Sequence, residues 1–491
     1  MIGRWEQRTH EPYGHTLNHR QIFSPDGRFV YYDTRNRDTD IQVTSRIERL
    51  DLRTSETLVV YETVHPNAWG PGVGAVVCHP NQQRLLFIHG LHNCSQMRPY
   101  AMTRRFGALA WDTGGPATVA PAEARIVDGP CLIGALRGGT HAHSWSRDGK
   151  TISFTYNDAV VERRARAAAI TENANSGKAS AGPVHSTITD LRTVGVMIVG
   201  RPGLCPIEDD ENFCGEFQSL IVAPVVQHPS PGSDEIDMAC EECWVENRPQ
   251  RTMAFLGRVR TSEGDPIQEV FLAEWTEPKL DSENNVVEKC LVENGDSANR
   301  HSANRHSENR LSANRRSENR VAAAASGPRF APLDKEGRLE AWHGVRIRRL
   351  TRTERGISGP RNWLLGSPDG ARIYFPMPDR EGIVQIHYVE IDTGAVVQLS
   401  HLEHSLENQL AIRGDGQWIS GLSNSLPTLV HTTTSETRIV ANLPHEISKI
   451  TGAIHFLPDG SGLLMHAYTA TSKTKSSVNQ WLQLWTCSVH C

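Results

Sequence analysis

Short stretches in which apolar and polar residues alternate recur along the chain, and each is interrupted by a turn containing Asp-Gly or a close variant. Asp-Gly favours a tight hairpin because both residues tolerate positive φ angles. The alternation on either side predicts strands with one apolar face. Such units occupy residues 22–33, 76–90, 144–158, 365–377, 411–422 and 455–468. The last three begin roughly 45 residues apart, a period typical of a four-stranded propeller blade.

A further strand-rich unit without the Asp-Gly turn lies at residues 251–275. We therefore predict an all-β fold, a seven-bladed TolB/WD40-like β-propeller formed by residues 1–491 as a single domain. The predicted blades span residues 18–60, 74–125, 140–200, 214–276, 345–398, 405–440 and 450–489. A six-bladed propeller is the alternative, in which residues 140–276 form one decorated blade.

Two insertions interrupt the repeat. Residues 159–173 (AVVERRARAAAITEN) have helical character, so residues 159–188 are predicted to form a partly helical insertion. Residues 277–340 are predicted to form an inter-blade insertion, a disordered loop containing the low-complexity pentapeptide repeat SANRH at 297–321. This repeat is too polar to bury a core. It is either a basic arm for an anionic partner or, as we favour, a tolerated repeat expansion.

Composition narrows the function classes. Hydrophobic residues make up 38% of the chain, and no stretch reaches the roughly 18 consecutive apolar residues of a membrane-spanning helix. A formal net charge of -5 argues against duplex nucleic acid as a partner. The first residues lack the apolar segment of a secretory signal, so we expect a cytoplasmic protein with reduced cysteines. Cys240 and Cys243 have no second ligand pair nearby and are interpreted as ordinary thiols.

Several long motifs carry a family resemblance: WEQRTHEPYGH (5–15), LRGGTHAHSWSRDGKTISFTYND (136–158), PGSDEIDMACEECWVEN (231–247) and GPRNWLLGSPDGARIYF (359–375). Together they closely resemble the YidR-like family of uncharacterised bacterial propeller proteins, which implies a TolB-like propeller without a settled activity. The repeats are also similar to those of TolB. More distantly, the Asp-Gly repeats and a His-x-His sequence resemble oligogalacturonate lyases, metal-dependent propellers that cleave uronic-acid oligomers by β-elimination.

The repeat itself selects candidate site residues. The segment leading into each innermost strand lies at one mouth of the propeller channel, so equivalent positions converge there. Counting back seven residues from the Asp of each turn gives a polar residue in four blades, and the residue before each of them is also polar. Asp234 and Glu235 are added from a loop that leads into a strand. The predicted ligand-binding residues are Asn18, His19, Thr140, His141, Asn362, Asn408, Glu407, Asp234 and Glu235. The expected partner is a small molecule, an oligosaccharide or a protein at the mouth; a hydrated channel without a ligand is the alternative.

His141 and His143 suggest a metal site, because alternate residues of a strand face the same side. His19 is the predicted third ligand, with Glu407 or Asp234 as alternatives, and the ion would be Mn, Zn or Ca. Under the lyase hypothesis His19 would accept a proton, and Arg137 or Arg361 would pair with a sugar carboxylate. We rank a binding protein first and a metal-dependent carbohydrate-active enzyme second.

Overall fold

The computed structural model describes residues 3–128, 132, 134–164, 166–167, 191–276, 338–339, 344–470 and 480–489. Within this part of the chain, seven sheets follow one another as the blades of a β-propeller, so the seven-bladed prediction is confirmed and the six-bladed alternative is wrong. Each of blades 2 to 7 is a four-stranded antiparallel sheet. In blade 1 the innermost strand is reduced to two bridges, Thr16 with Asp33 and Phe23 with Val30.

The strands of each blade follow one another outward from the channel. Blade 1 contains Phe29–Asp33, Arg46–Asp51 and Thr57–Glu62. Blade 2 contains Val73–Cys78, Arg84–Gly90, Arg105–Trp111 and Ala120–Pro121. Blade 3 contains Gly138–Trp145, Thr151–Asp158, Thr193–Ile198 and Gln218–Ile221. Blade 4 contains Met238–Trp244, Arg251–Arg260, Pro266–Trp275 and Val345–Arg349. Blade 5 contains Leu365–Gly366, Arg372–Pro378, Val384–Glu390 and Val396–Gln398. Blade 6 contains Ala411–Ile412, Trp418–Ser423, Leu426–His431 and Thr437–Ile439. Blade 7 contains Ile447–Phe456, Gly462–Thr469, Trp481–Ser488 and Arg4–Gln7.

Shorter elements decorate the blades. A 3-10 helix, Asp38–Val43, follows the first complete strand of blade 1. Ala124–Arg125 pairs with Ala135–Leu136 in parallel, and Val225–Val226 pairs with Arg338–Leu339. No helix in the described ranges is long and apolar enough to span a membrane.

The Asp-Gly turns form the predicted hairpins and are stabilised by hydrogen bonds within each turn. In blade 1, Ser24 Oγ donates to Asp26 Oδ1 at 2.6 Å, and the same carboxylate accepts the amide of Arg28 at 3.1 Å. Gly27 has a φ of 69°, a conformation that glycine adopts without strain. Ser146 and Asp148 repeat the first contact in blade 3 at 2.7 Å. Local chemistry therefore determines where each of these hairpins turns.

Two blade boundaries differ from the prediction. Gln218–Ile221 pairs with Thr193–Ile198, so it is the outermost strand of blade 3 and does not precede blade 4. Val345–Arg349 pairs with Pro266–Trp275 and completes blade 4, although the sequence repeat assigned residue 345 to blade 5. The insertion predicted between blades thus begins and ends within blade 4. The repeat at 297–321 lies outside the described residues.

The insertion in blade 3 lies between its second and third strands, Thr151–Asp158 and Thr193–Ile198. Residues 159–164 and 166–167 are helical, in agreement with the start of the predicted helical stretch. The remainder of the predicted insertion, from residue 168 to 188, lies outside the described residues.

The hydrophobic core is distributed between neighbouring blades. Second strands contribute fully buried aromatic side chains, and these are Tyr31, Phe87, Phe154, Phe255 and Phe375. Each buries a large apolar surface between sheets, and burial at about 25 cal/mol per Å² is the main stabilising contribution. Since the sheets are held at fixed spacing by this packing, the segments that lead into the innermost strands form a stable rim around the channel.

Candidate functional site

The innermost strands of blades 2, 3, 4 and 7 each contain a β-bulge close to the channel mouth. The pairing register shifts between Gly74 and Val77, His141 and Ser144, Cys240 and Cys243, and Thr451 and His455. Within these bulges four residues have positive φ, namely Ala75, Ala142, Glu241 and Gly452. A bulge places an extra residue in one strand and interrupts the alternation of side chains. Residues on its two sides therefore need not face the same way.

A cavity of about 770 Å³ opens at this mouth, and we call it the mouth cavity. It is lined by residues from blades 1, 2, 3, 5, 6 and 7. Among its described lining residues, five are Arg or Lys and two are Asp or Glu. These charged residues are Arg35, Arg37, Arg105, Arg361, Lys449, Asp38 and Glu407. The lining therefore carries an excess of positive charge.

Two side chains of blade 1 cross the central channel. Arg20 Nη2 donates to the carbonyl oxygen of Glu242 in blade 4 at 2.9 Å. Gln21 Nε2 donates to the carbonyl oxygen of Trp145 in blade 3 at 2.7 Å, and its Oε1 accepts the Trp145 amide at 2.8 Å. Blades 1 and 4 lie on opposite sides of a seven-membered ring, so the Arg20 side chain spans the channel.

His19 lines the mouth cavity and packs against an aromatic side chain. Its ring stacks on Trp363 with centroids 3.9 Å apart and an interplanar angle of 9°. Nδ1 donates to Asn18 Oδ1 at 2.9 Å, which leaves Nε2 as an acceptor without a partner. Burial lowers the pKa of His19 well below its usual value, and the charges of Arg20 and Arg361 lower it further. The imidazole is therefore uncharged at neutral pH.

His141 also lines the mouth cavity, and its Nδ1 has no partner. Burial lowers its pKa well below the usual value, with Arg105, Arg192 and Arg361 adding to the effect. Because Arg361 acts on both His19 and His141, the two imidazoles face a common charged region.

His143 and Thr140 point away from the mouth cavity. The Thr140 hydroxyl lies 2.9 Å from His143 Nε2 and 2.5 Å from Glu123 Oε1, in a buried cluster at the contact of blades 2 and 3. Ala142, between the two histidines, has a φ of 54° and belongs to the bulge. The expectation that both imidazoles face one centre is corrected, because it assumed a regular strand.

The resemblance to metal-dependent lyases raised the question of a divalent ion. His19 and His141 both line the mouth cavity, whereas His143 does not. In the part of the chain that the structure describes, no group of three or more His, Cys, Asp or Glu side chains is placed to hold a metal. Cys240 and Cys243 are buried free thiols on either side of a bulge. The predicted three-histidine ligand set is not assembled.

Asn362 and Asn408 are used to join neighbouring blades. Asn362 Oδ1 accepts the amide of Leu410 at 2.7 Å, which connects blade 5 to blade 6. Asn408 Nδ2 donates to the carbonyl oxygen of Gly452 at 2.5 Å, and its Oδ1 accepts the amide of Leu422 at 2.7 Å. Asn408 lines the mouth cavity while Asn362 does not. Both amides are already engaged, so we assign them a structural role.

The remaining predicted residues divide into two groups. Asn18, Arg361 and Glu407 line the mouth cavity. Arg361 lies over the Trp363 ring, 4.5 Å from its centroid, and 3.9 Å from Glu241 Oε1. Glu407 Oε1 accepts the amide of Ser425 at 2.9 Å.

The second group lies outside the cavity lining. Arg137 Nη2 is 3.1 Å from Asp158 Oδ2. Asp234 pairs with Arg349 at 3.3 Å and Arg352 at 2.7 Å. Glu235 Oε2 accepts the amide and hydroxyl of Ser230, both at 2.9 Å. These contacts indicate that Arg137, Asp234 and Glu235 have structural roles outside the mouth cavity.

Arg105 and His466 are among the titratable residues of the cavity that the sequence prediction missed. Arg105 is the first residue of the third strand of blade 2, and His466 belongs to the second strand of blade 7. His466 Nδ1 accepts the amide of Leu17 at 2.9 Å, and burial lowers its pKa to about 3. Counting back from each turn selects only residues of innermost strands. The sequence feature that could have indicated Arg105 is its place directly after a loop, at the first residue of a strand, which begins at the mouth.

These features define a β-propeller protein with a recessed, positively charged mouth cavity. In sequence, residues 72–207 match the family described as "Protein of unknown function (DUF3748)". Over 465 residues the chain is 27% identical to the uncharacterized protein YidR of Escherichia coli (strain K12), covering 93% of this chain and 94% of YidR. The resemblance to YidR-like proteins indicated by the sequence motifs is confirmed.

Two oligogalacturonate lyases of known structure resemble this chain at low sequence identity. An oligogalacturonate lyase in complex with manganese has a TM-score of 0.45 at 10% identity, covering 100% of this chain and 97% of the lyase. An oligogalacturonate lyase from Vibrio parahaemolyticus has a TM-score of 0.47 at 10% identity, covering 100% of this chain and 98% of the lyase.

Proposed function

We propose that this protein binds a small polar ligand, a small molecule or a short oligosaccharide, in the mouth cavity. The observation that supports this most directly is a set of buried polar atoms without partners around one cavity: Asn18 Nδ2, His19 Nε2 and His141 Nδ1. Leaving such an atom unpaired costs about 1–3 kcal/mol, and a ligand with complementary groups would recover part of that cost. A volume of about 770 Å³ is within the range of small-molecule sites.

A recessed cavity favours a small molecule or glycan over a protein partner. Arg20 and Gln21 cross the channel, so access to the lining residues is from the mouth. A protein surface would need a projecting segment to reach His19 and His141, whereas a monosaccharide-sized compound would not. Trp363 stacks on His19 and lines the same cavity, so an aromatic side chain lies beside the imidazole that carries the unpaired Nε2.

A thermal-unfolding screen of small molecules and short oligosaccharides tests this proposal. A ligand of the folded state raises the unfolding temperature in proportion to the logarithm of its concentration over Kd. We expect at least one compound to do so, and we expect His141→Ala to weaken its binding about tenfold, equivalent to about 1.4 kcal/mol. His445→Ala is the matched control, since that side chain is 90% exposed. Equal affinity of His141→Ala and wild type would contradict the proposal.

The alternative is a carbohydrate-active enzyme resembling oligogalacturonate lyase. It is supported by His19 Nε2, an acceptor nitrogen without a partner inside the cavity that could receive a proton, although the lowered pKa makes this imidazole a weak base. Arg361 lines the same cavity and could hold a sugar carboxylate. Arg137 pairs with Asp158 and His143 contacts Thr140 outside the cavity lining, so neither side chain contributes. Incubation with oligouronides, followed by the absorbance of unsaturated uronates, tests this alternative, and elemental analysis of the purified protein tests for a divalent ion.

The cytoplasm is the compartment that we propose. All seven cysteines in the described ranges are free, and five of them are buried. Free thiols are typical of proteins that work in a reducing environment. Thiol titration of protein purified without reductant provides the test: disulfide formation under native conditions would argue against this compartment.

A further inference from the structure

Arg105 differs from the other buried arginines of the propeller. It is 4% exposed and lines the mouth cavity. Nη1 donates to the hydroxyl of Tyr100 at 3.1 Å, while Nε and Nη2 have no hydrogen-bond partner. No carboxylate of the described residues lies within ion-pair distance of this guanidinium, whereas Arg35 is paired with Asp33 and Arg125 with Glu211. A buried charge without a counterion is costly, which makes this position a candidate for a ligand's anionic group.

The surroundings of Arg105 maintain a positive potential. Its charge is the largest electrostatic contribution, after burial, to the lowered pKa of His141. An uncharged imidazole still offers an N–H donor to an anion, so the two side chains can act together. Arg361, on the opposite part of the lining, also lowers the pKa of His141. Negative charge entering this cavity would meet two guanidinium groups and an imidazole donor.

We infer that the mouth cavity recognises a carboxylate or phosphate group of its ligand, with Arg105 as the buried anchor. Both groups present paired oxygens that match the planar fork of a guanidinium. The cavity exceeds the size of either group alone, so the ligand would be a larger compound, such as a sugar, that carries the anion. This inference rests on the proposed ligand-binding function and specifies the chemistry of the ligand.

Three hexoses that differ at one carbon provide a direct test. Glucose, glucuronate and glucose 6-phosphate share a ring and differ in having no charge, a carboxylate or a phosphate at the sixth carbon. We would titrate each into the full-length protein by calorimetry at constant ionic strength. At least one charged sugar is expected to bind tenfold or more tightly than glucose. The comparison of the two charged sugars distinguishes carboxylate from phosphate as the preferred group.

Substitutions then test the anchor. Arg105→Gln should reduce the preference for the charged sugar to less than twofold, and Arg105→Lys should retain part of it because the charge persists without the fork. Arg53→Gln, at an exposed turn, removes one positive charge just as Arg105→Gln does, and it should not change the preference for the charged sugar. Circular dichroism and thermal unfolding show whether each variant is folded; if Arg105→Gln is not, the Arg105→Lys result decides.

Each outcome bears on a different statement. Equal binding of all three sugars overturns anion recognition but leaves ligand binding intact. An unchanged preference in folded Arg105→Gln and Arg105→Lys overturns the assignment of Arg105. If none of the three sugars binds at millimolar concentration, the inference about an anionic sugar is overturned, while the proposed function is judged by the broader thermal screen.

Discussion

Glu123 is a carboxylic acid enclosed between blades 2 and 3. It is fully buried, its carboxylate oxygens accept the amide of Gly107 at 3.1 and 3.2 Å, and Thr140 links it to His143. Burial raises the pKa of Glu123 to about 7, and burial lowers the pKa of His143 to about 3. Between about pH 3 and pH 7 both groups are therefore uncharged, which avoids placing an isolated charge in the interior.

This cluster predicts a pH-dependent stability. The unfolded-state pKa of Glu is about 4.3, so as pH rises towards 7 the folded protein retains a proton that the unfolded chain has lost. The contribution of Glu123 to the free energy of unfolding should therefore fall with increasing pH across this window, whereas the lowered pKa of His143 contributes in the opposite direction up to about pH 6.5. The glutamine of Glu123→Gln has no proton to lose in this range. The free energy of unfolding of the wild type, minus that of the variant, should therefore fall by on the order of 3 kcal/mol between about pH 4.5 and pH 8.

Urea denaturation of both proteins at several pH values measures this difference. Glu56→Gln, at an exposed turn, is the matched control and should follow the wild type. A constant difference between wild type and Glu123→Gln across the range would show that Glu123 is charged in the folded protein.

At the level of elements, the blades are joined by side-chain amides as well as by apolar packing. Asn408 forms hydrogen bonds to backbone groups of blades 6 and 7, and Asn362 connects blade 5 to blade 6. Asparagine suits this position because its donor and acceptor can satisfy two buried backbone groups at once. Recurrent polar residues at the mouth therefore serve two purposes, since some join blades and others line the cavity.

Asn408→Ala should destabilise the propeller. The substitution leaves the amide of Leu422 and the carbonyl oxygen of Gly452 without their partner, and the expected cost is about 2–4 kcal/mol. Chemical denaturation provides the measurement, with Asn81→Ala, at an exposed turn of blade 2, as the control. A loss of stability no greater than that of the control would contradict the structural role of Asn408.

For the whole molecule, closure of the ring depends on residues distant in sequence. Arg4–Gln7 pairs with Trp481–Ser488 and forms the outermost strand of blade 7. The register places Trp5 opposite Cys487, and Trp5 packs against the core between blades 6 and 7. Pairing the two ends of the chain holds blade 7 together and covers the edge of its third strand.

Removal of residues 1–8 should lower the unfolding temperature and expose the edge of Trp481–Ser488. An exposed edge strand pairs with other chains, so we also expect association that increases with concentration. Differential scanning calorimetry and light scattering measure the two effects. Deletion of residues 297–321 is the control, and we expect it to change stability by less than about 1 kcal/mol because this polar repeat supplies almost no apolar side chains for a core. Equal behaviour of the two deletions would contradict the closure role.

The sequence by itself was sufficient to predict the class of fold and much of the site region. Asp-Gly turns and alternating strands are local features, so the blades could be located from neighbouring residues alone. Equivalent positions in the repeat also led to the mouth, where Asn18, His19, His141 and Arg361 line the cavity. Repetition made this possible, because one rule applied to several blades.

Tertiary structure decided which side chains face the cavity and which strand completes each blade. A bulge at Ala142 separates His141 from His143, and its backbone conformation depends on the neighbouring strand. The pairing of Val345–Arg349 with blade 4 joins segments separated by an insertion, which no local pattern reveals. Arg105 lines the cavity from the third strand of blade 2, whereas the repeat rule selected only residues near the innermost strands. These outcomes depend on contacts between residues distant in sequence, and such contacts exist only once the blades have packed into a ring.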